Sequence, residues 1–224
     1  MTDLHTICSR SVNAADNWDR SKIGAAFGIA AGLLNLVVFV WYCWTAFNGE
    51  TTTNPISWWL WFAETLFCLF IYIDRTRDFP TWFTEAASML GVTVVSIYLI
   101  YEIIIGDSSI VFASVETVDY VALGFAILAF VVWAFTRRED GKGPAIWFFQ
   151  LALLSAVFPL VRSAYIDPTS EPLGPWIAWT FVFLFQTICA WLRVREPGAV
   201  VNPLMYTITH GLVVGAMILG AAST

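Results

Sequence analysis

Seven apolar stretches, each long enough to cross a bilayer, take up most of this chain: residues 22–46, 57–73, 79–105, 119–136, 144–162, 174–192 and 200–221. A helix needs roughly 20 predominantly apolar residues to span a hydrocarbon core. With 58% hydrophobic residues, 12% charged residues and 12 Trp, the chain carries more apolar surface than a water-soluble domain of its length can hide. The runs are too long and too unbroken for barrel strands, and backbone amides in lipid must find partners within their own segment. The expected fold is therefore an all-α integral membrane bundle of seven transmembrane helices.

Charge supports that number. Arg10, Arg20 and Lys22 precede the first run, Arg75 and Arg77 follow the second, Arg137, Arg138 and Lys142 follow the fourth, and Arg193 and Arg195 follow the sixth. Only Arg162 falls on the other side, beside the acids Glu50, Asp107, Glu116, Asp167 and Glu171. One missed or invented helix would scramble this alternation. By the positive-inside rule the N-terminus is expected in the cytoplasm and the C-terminus outside. The polar first 20 residues lack the short apolar core and small-residue cleavage site of a secretory signal, so the first helix is expected to stay as an anchor.

The chain also resembles itself at an offset of 117 residues. Thr53-Asn54-Pro55-Ile56-Ser57-Trp58-Trp59 lies over Ser170-Glu171-Pro172-Leu173-Gly174-Pro175-Trp176, and both segments open a membrane helix after a polar loop. One helix precedes that loop and two follow it in each half. The reading is a polar N-terminal segment (1–21), a first three-helix repeat (22–105), a linker helix (106–143) and a second three-helix repeat (144–224), a 3+1+3 arrangement. The odd connecting helix gives the two triplets the same orientation, as parallel repeats that can rock about a midplane site.

The stretch Phe47-Asn48-Gly49-Glu50-Thr51-Thr52-Thr53-Asn54-Pro55-Ile56-Ser57-Trp58-Trp59-Leu60-Trp61 resembles the loop and second-helix start of small bacterial PQ-loop-like proteins, relatives of the SWEET sugar transporters. Phe158-Pro159-Leu160-Val161-Arg162, Asp167-Pro168-Thr169-Ser170-Glu171 and Asn202-Pro203-Leu204 are similar to that group's proline-bearing helix, acidic loop and last-helix start. The resemblance implies a pseudo-symmetric bundle in a bacterial inner membrane that moves a small solute, with Pro159 as a hinge. Two features depart from the family pattern. Pro159 is followed by Leu160 rather than Gln, with Tyr42 at the matching first-half position, and the family places its N-terminus outside.

Among candidate site residues Glu64 is the sharpest, because an ionised acid near the centre of a membrane helix costs about 2.5–3.5 kcal/mol on insertion scales. A neutral, protonated Glu64 would suit proton coupling or general acid chemistry, and would equally serve as a hydrogen bond between helices. His210, mid-helix in the last run, could exchange a hydrogen bond or proton with such an acid. Asn35, Gln186 and Thr209 suit substrate hydroxyls or helix packing. Trp61, with Trp58 and Trp59, could stack on a sugar, although tryptophans at a helix start also form interfacial belts. Glu85 and Glu102 are expected near the ends of the third helix, in reach of interfacial water, and Asp74, Arg75, Arg77 and Asp78 as a solvated loop.

No cofactor or metal is called for. The cysteines Cys8, Cys43, Cys68 and Cys189 have no paired spacing, no lysine is placed to form a retinal Schiff base, and His5 lies outside the apolar runs. Basic inner loops with an overall charge of −6 argue against nucleic acid. The expected partners are the lipid bilayer and a small-molecule solute, with a homo-oligomer or larger membrane complex as a further option. The leading expectation is an alternating-access transporter of a sugar, amino acid or vitamin-like solute, not an enzyme. The alternatives are a non-catalytic accessory subunit of a membrane complex and, third, a membrane-embedded enzyme using a buried carboxylic acid.

Overall fold

A computed structural model of the protein describes residues 3–105, 111–112, 117–136 and 145–223. Within them lie seven helices: α1 (Asp3–Phe47), α2 (Pro55–Thr76), α3 (Phe79–Ile105), α4 (Thr117–Thr136), α5 (Ala145–Ile166), α6 (Leu173–Arg193) and α7 (Pro197–Ser223). Two short strands, β1 (Thr52–Thr53) and β2 (Val111–Phe112), pair in parallel with Thr52 opposite Val111. Of the residues singled out above, His5, Cys8, Arg10, Asp74, Arg75, Asp107, Glu116, Arg137, Arg138 and Lys142 lie outside those whose side chains are described.

Among the described residues four helical segments are long and apolar enough to cross a membrane: Asp19–Phe47, Phe79–Ile105, Leu173–Arg193 and Pro197–Ser223. Pro55–Phe70, Thr117–Val132 and Leu153–Ile166 are shorter apolar helices. Helix α1 starts well before the first apolar run, because no Gly or Pro interrupts Asp3–Ile23.

The surface is apolar and the interior is mixed, the reverse of a water-soluble protein. Val40, Phe70, Ile104, Phe135 and Leu219 point outward, whereas Asn35, Thr84, Glu85, Gln186 and Thr209 are at most 1% exposed. Six helices close a ring in the order α1, α3, α2, α5, α7, α6, with α6 returning to α1. Helix α4 lies outside it, packed on α5 and touching α2.

Local chemistry sets the ends of these helices. Asn54 caps α2, its Oδ1 accepting from Ile56 N (3.0 Å) and Ser57 N (3.2 Å), and Pro55 fills the first helical position where no N–H is needed. The Asn54 amide donates to Asp119 Oδ1 at 2.9 Å, tying α2 to α4. Helices α2 and α3 join through a turn with Arg77 in the left-handed region (φ 45°), and α6 and α7 through one with Arg195 there (φ 57°). Pro203 lies inside α7 and cannot donate to the Ala199 carbonyl one turn back, which instead accepts from the Tyr72 hydroxyl of α2.

Glycines at every fourth position of α1 let its neighbours approach closely. A Cβ on Gly28 would lie 2.2 Å from the Pro80 carbonyl oxygen of α3, and one on Gly32 2.2 Å from the Phe83 ring. At the same end Arg193 of α6 reaches across both neighbours. It pairs with Asp78 at the start of α3 and donates to the carbonyl and hydroxyl of Ser21 on α1. The guanidinium holds the Asp78 carboxyl below the usual carboxylate range. Asp78 is thus part of an ion pair between helices rather than of a solvated loop.

Candidate functional site

Helices α2 and α6 face the ring's interior with the same residue spacing. On α2 the inward positions are Trp58, Trp61, Thr65, Cys68 and Tyr72; on α6 they are Trp176, Trp179, Phe183, Gln186 and Ala190. Steps of three and four residues keep a side chain on one helical face. The four tryptophans close a box, with ring centroids 5.1 Å apart for Trp58 and Trp61, 5.8 Å for Trp61 and Trp176, 5.3 Å for Trp176 and Trp179, and 6.4 Å for Trp179 and Trp58.

His210 of α7 sits against this box. Its ring lies 4.9 Å from Phe183, 5.2 Å from Trp176, 5.9 Å from Trp179, 6.0 Å from Tyr206 and 6.4 Å from Trp61. Nδ1 is 2.7 Å from the Tyr206 carbonyl oxygen, which can only accept, so Nδ1 carries the proton and Nε2 presents the lone pair. Three of the four tryptophans, Trp58, Trp61 and Trp179, line a cavity of about 30 Å³ together with His210, Phe39, Thr65, Ser88, Val92, Phe183 and Tyr206. A space of that size holds about two waters.

Glu64 sits three residues past Trp61 on the same face of α2 and is 5% exposed. Among the described residues Glu64 Oε1, Trp61 Nε1 and Tyr206 OH are buried without a hydrogen-bond partner. Toward the end where α6 finishes lies a second polar layer. Glu85 Oε1 accepts from Gln186 Nε2 (3.2 Å) and Asn202 Nδ2 (3.3 Å), and Asn202 Oδ1 accepts from Gln150 Nε2 (2.8 Å) and the Cys68 thiol (3.6 Å). This layer joins α2, α3, α5, α6 and α7.

Beyond the box, at the opposite end, Glu171 precedes α6 and is 4% exposed. Trp176 Nε1 donates to its Oε2 at 3.1 Å, and Thr51 and Tyr42 flank it. Thr51 Oγ1 also donates to the Ser170 carbonyl, closing the α1–α2 loop over the start of α6. Burial pushes the Glu171 carboxyl from 4.5 up to about 8, against the opposing pull of these donors. The folded state therefore keeps a proton that the unfolded chain has lost, so stability from Glu171 is complete below pH 4.5 and lost as pH rises through about 8. Glu171→Gln is expected to remove that decline, flattening thermal stability between pH 5 and 8 in detergent; an unchanged slope would assign it to another group.

The structure distributes the sequence candidates unevenly. His210 and Trp61 line the cavity, and Glu64 is buried on α2 one turn past Trp61, next in sequence to the lining residue Thr65. Asn35 is fully committed to protein partners, donating to Thr84 O (3.1 Å) and Ser88 Oγ (2.7 Å) and accepting from Trp179 Nε1 (3.0 Å), so it holds α1, α3 and α6 together. Gln186 belongs to the Glu85 layer, and Thr209 donates to Tyr206 O within its own helix. Pro159 lies half-buried within α5.

Three expectations need correction. Glu85 and Glu102 do not reach interfacial water: they are 1% and 6% exposed, because both project from the inner face of α3. Trp58 and Trp61 are not a belt but interior walls, with only Trp59 of the three exposed. Glu171, taken as an outer-loop charge, is buried. Among the described residues no grouping of His, Cys, Asp and Glu converges to hold a metal ion. Comparison with known protein families, curated proteins and solved structures finds no match to this chain.

Proposed function

We propose that the protein is a membrane transporter that carries a small polar solute by alternating access between two three-helix bundles, α1–α3 and α5–α7, with α4 as the connecting helix. The observation that carries this reading is the tryptophan box. Each bundle contributes one Trp pair, and the two contacts across the box, Trp58 with Trp179 and Trp61 with Trp176, exchange when the halves are swapped at an offset of 118 residues. The ring order α1, α3, α2, α5, α7, α6 also reads the same from either half, and Arg77 and Arg195 occupy matching turns at that offset. A site shared by two equivalent bundles is where alternating access works.

Arg193, Asp78 and Ser21 bond the helices together at one end of the bundle, and Glu171, Trp176 and Thr51 do so at the other. At about 30 Å³ the cavity is too small for a solute unless the bundles move. This reading takes the closed arrangement as an occluded state, with the Arg193 end toward the cytoplasm on the charge distribution. The same small volume favours the second reading, an accessory subunit with a filled interior. A flux screen of the protein in sealed vesicles, covering labelled sugars, amino acids, vitamins and small amines, decides between them. Exchange of one solute class across the membrane is expected. Silence across the panel from folded protein would move the assignment to the accessory subunit.

A further inference from the structure

The walls of the central cavity are aromatic, and the charges around it are all of one sign. Every Lys and Arg of the chain lies at position 10, 20, 22, 75, 77, 137, 138, 142, 162, 193 or 195, at or beyond the ends of the apolar runs of the sequence, whereas Glu64 and Glu85 are buried within the helices α2 and α3. An anionic solute would meet only repulsion there. A neutral sugar needs hydrogen-bond partners for several hydroxyls, and the amides Asn35 and Asn202 are bonded to protein through both ends while Gln186 keeps only Oε1 free, which leaves Trp61 Nε1 and Tyr206 OH as the unpartnered donors at the cavity. Five or more ring faces and a carboxyl group, by contrast, are what a desolvated cation requires.

We propose that the solute of this site is a small substituted ammonium ion, bound over the tryptophan rings in exchange for a proton at Glu64. Glu64 is the apt acid because it stands one turn from Trp61 with its Oε1 buried without a partner, whereas Glu85, whose Oε2 is also unpartnered, is anchored through Oε1 by two amides of the second polar layer. An acid in an apolar interior is tolerated either neutral or beside a cation. The site then alternates between the two: the ammonium ion enters, the Glu64 proton leaves to water on the open side, and the net charge within the bundle is unchanged. The groups facing Glu64 are Cys68 on its own helix, Glu85 on α3 and Tyr206 on α7, none of them cationic. His210 on α7 is the base at the cavity, α5 offers Gln150, and Asp119 of α4 is held by Asn54, about 15 Å away along α2.

The inference rests on the transporter reading only for where the ion goes, since binding can be measured without transport. The probes are methylammonium, tetramethylammonium and choline, with 3,3-dimethylbutan-1-ol as the neutral isostere of choline, titrated into the purified full chain in nanodiscs. Tryptophan fluorescence reports binding, and a weakly buffered solution reports protons. At least one cation is expected to bind saturably, release about one proton and, at pH below the midpoint of the exchange, bind about tenfold more tightly for each unit by which pH is raised. The isostere should bind at least about tenfold more weakly and release none, a gap of 1.4 kcal/mol. Glu64→Gln should abolish proton release. Equal binding of choline and its isostere, or glucose binding where no cation binds, overturns the proposal, and the unmodified protein alone gives that answer. Cation binding with a silent flux screen would sink the transporter reading and leave the site; flux of neutral solutes without cation binding would do the reverse.

Discussion

Replacing Glu64 by Gln is expected to leave the protein folded and to flatten the pH dependence of solute uptake in reconstituted vesicles. The amide is nearly isosteric with a neutral carboxyl, and the Glu64 Oε1 atom has no hydrogen-bond partner to lose. Stability should therefore change by no more than about 1 kcal/mol, the scale of an ordinary single substitution. The functional effect is larger because the exchangeable proton itself is gone: where uptake by the unmodified protein varies about tenfold per pH unit, the variant should vary less than about twofold. Matching pH profiles for the two proteins would leave Glu64 as a packing acid and turn attention to Glu85. A variant that unfolds would instead be seen by size-exclusion chromatography, before any flux measurement.

Gly28→Ala is the substitution expected to harm the fold most for the least chemistry. Its Cβ would meet the Pro80 carbonyl oxygen at 2.2 Å and Cys189 Sγ at 2.7 Å. The oxygen belongs to backbone and cannot swing aside, so α1 and α3 must separate over the whole of their shared face. Overpacking of this kind costs about 1–3 kcal/mol, more than the roughly 1 kcal/mol that Ala gains over Gly in a helix interior. Gly124→Ala on α4 is the control, because nothing lies within 4 Å of its added methyl. A melting temperature for Gly28→Ala at or above that of Gly124→Ala would mean that α1 and α3 are not in the close contact described.

The helical positions could be read from hydropathy because apolar runs of about 20 residues have few other fates. What hydropathy cannot give is the rotation of each helix. Glu85 looked peripheral by its distance along the third run, yet Thr81, Thr84, Glu85 and Ser88 recur at helical spacing, and that polar stripe marks an inner face. The tryptophans misled for a related reason. Aligning the halves on Pro55 and Pro172 sets Trp59 over Trp176, whereas the box pairs Trp58 with Trp176, a shift of one residue that turns the helix by about 100° and exchanges wall for surface. Gly24, Gly28 and Gly32 were legible in spacing and went unused. The burial of Glu171 was beyond local reading, since it depends on Thr51 and Tyr42, more than a hundred residues away, closing over it.

The contacts that α1–α3 make with α5–α7 are unequal. Helices α1 and α6 share a broad face, stitched by Trp179 to Asn35 and by Arg193 to Ser21, whereas α2 and α5 touch over a narrow one, where Ser57 Oγ donates to the Ala156 carbonyl at 3.3 Å three residues before Pro159. The molecule is bound like a book, with its spine along α1 and α6 and its fore-edge along α2 and α5. Pages open at the fore-edge, so a solute or lipid tail entering from the side would pass between α2 and α5, beside the proline and past α4, which packs on α5 and touches α2, rather than through the spine.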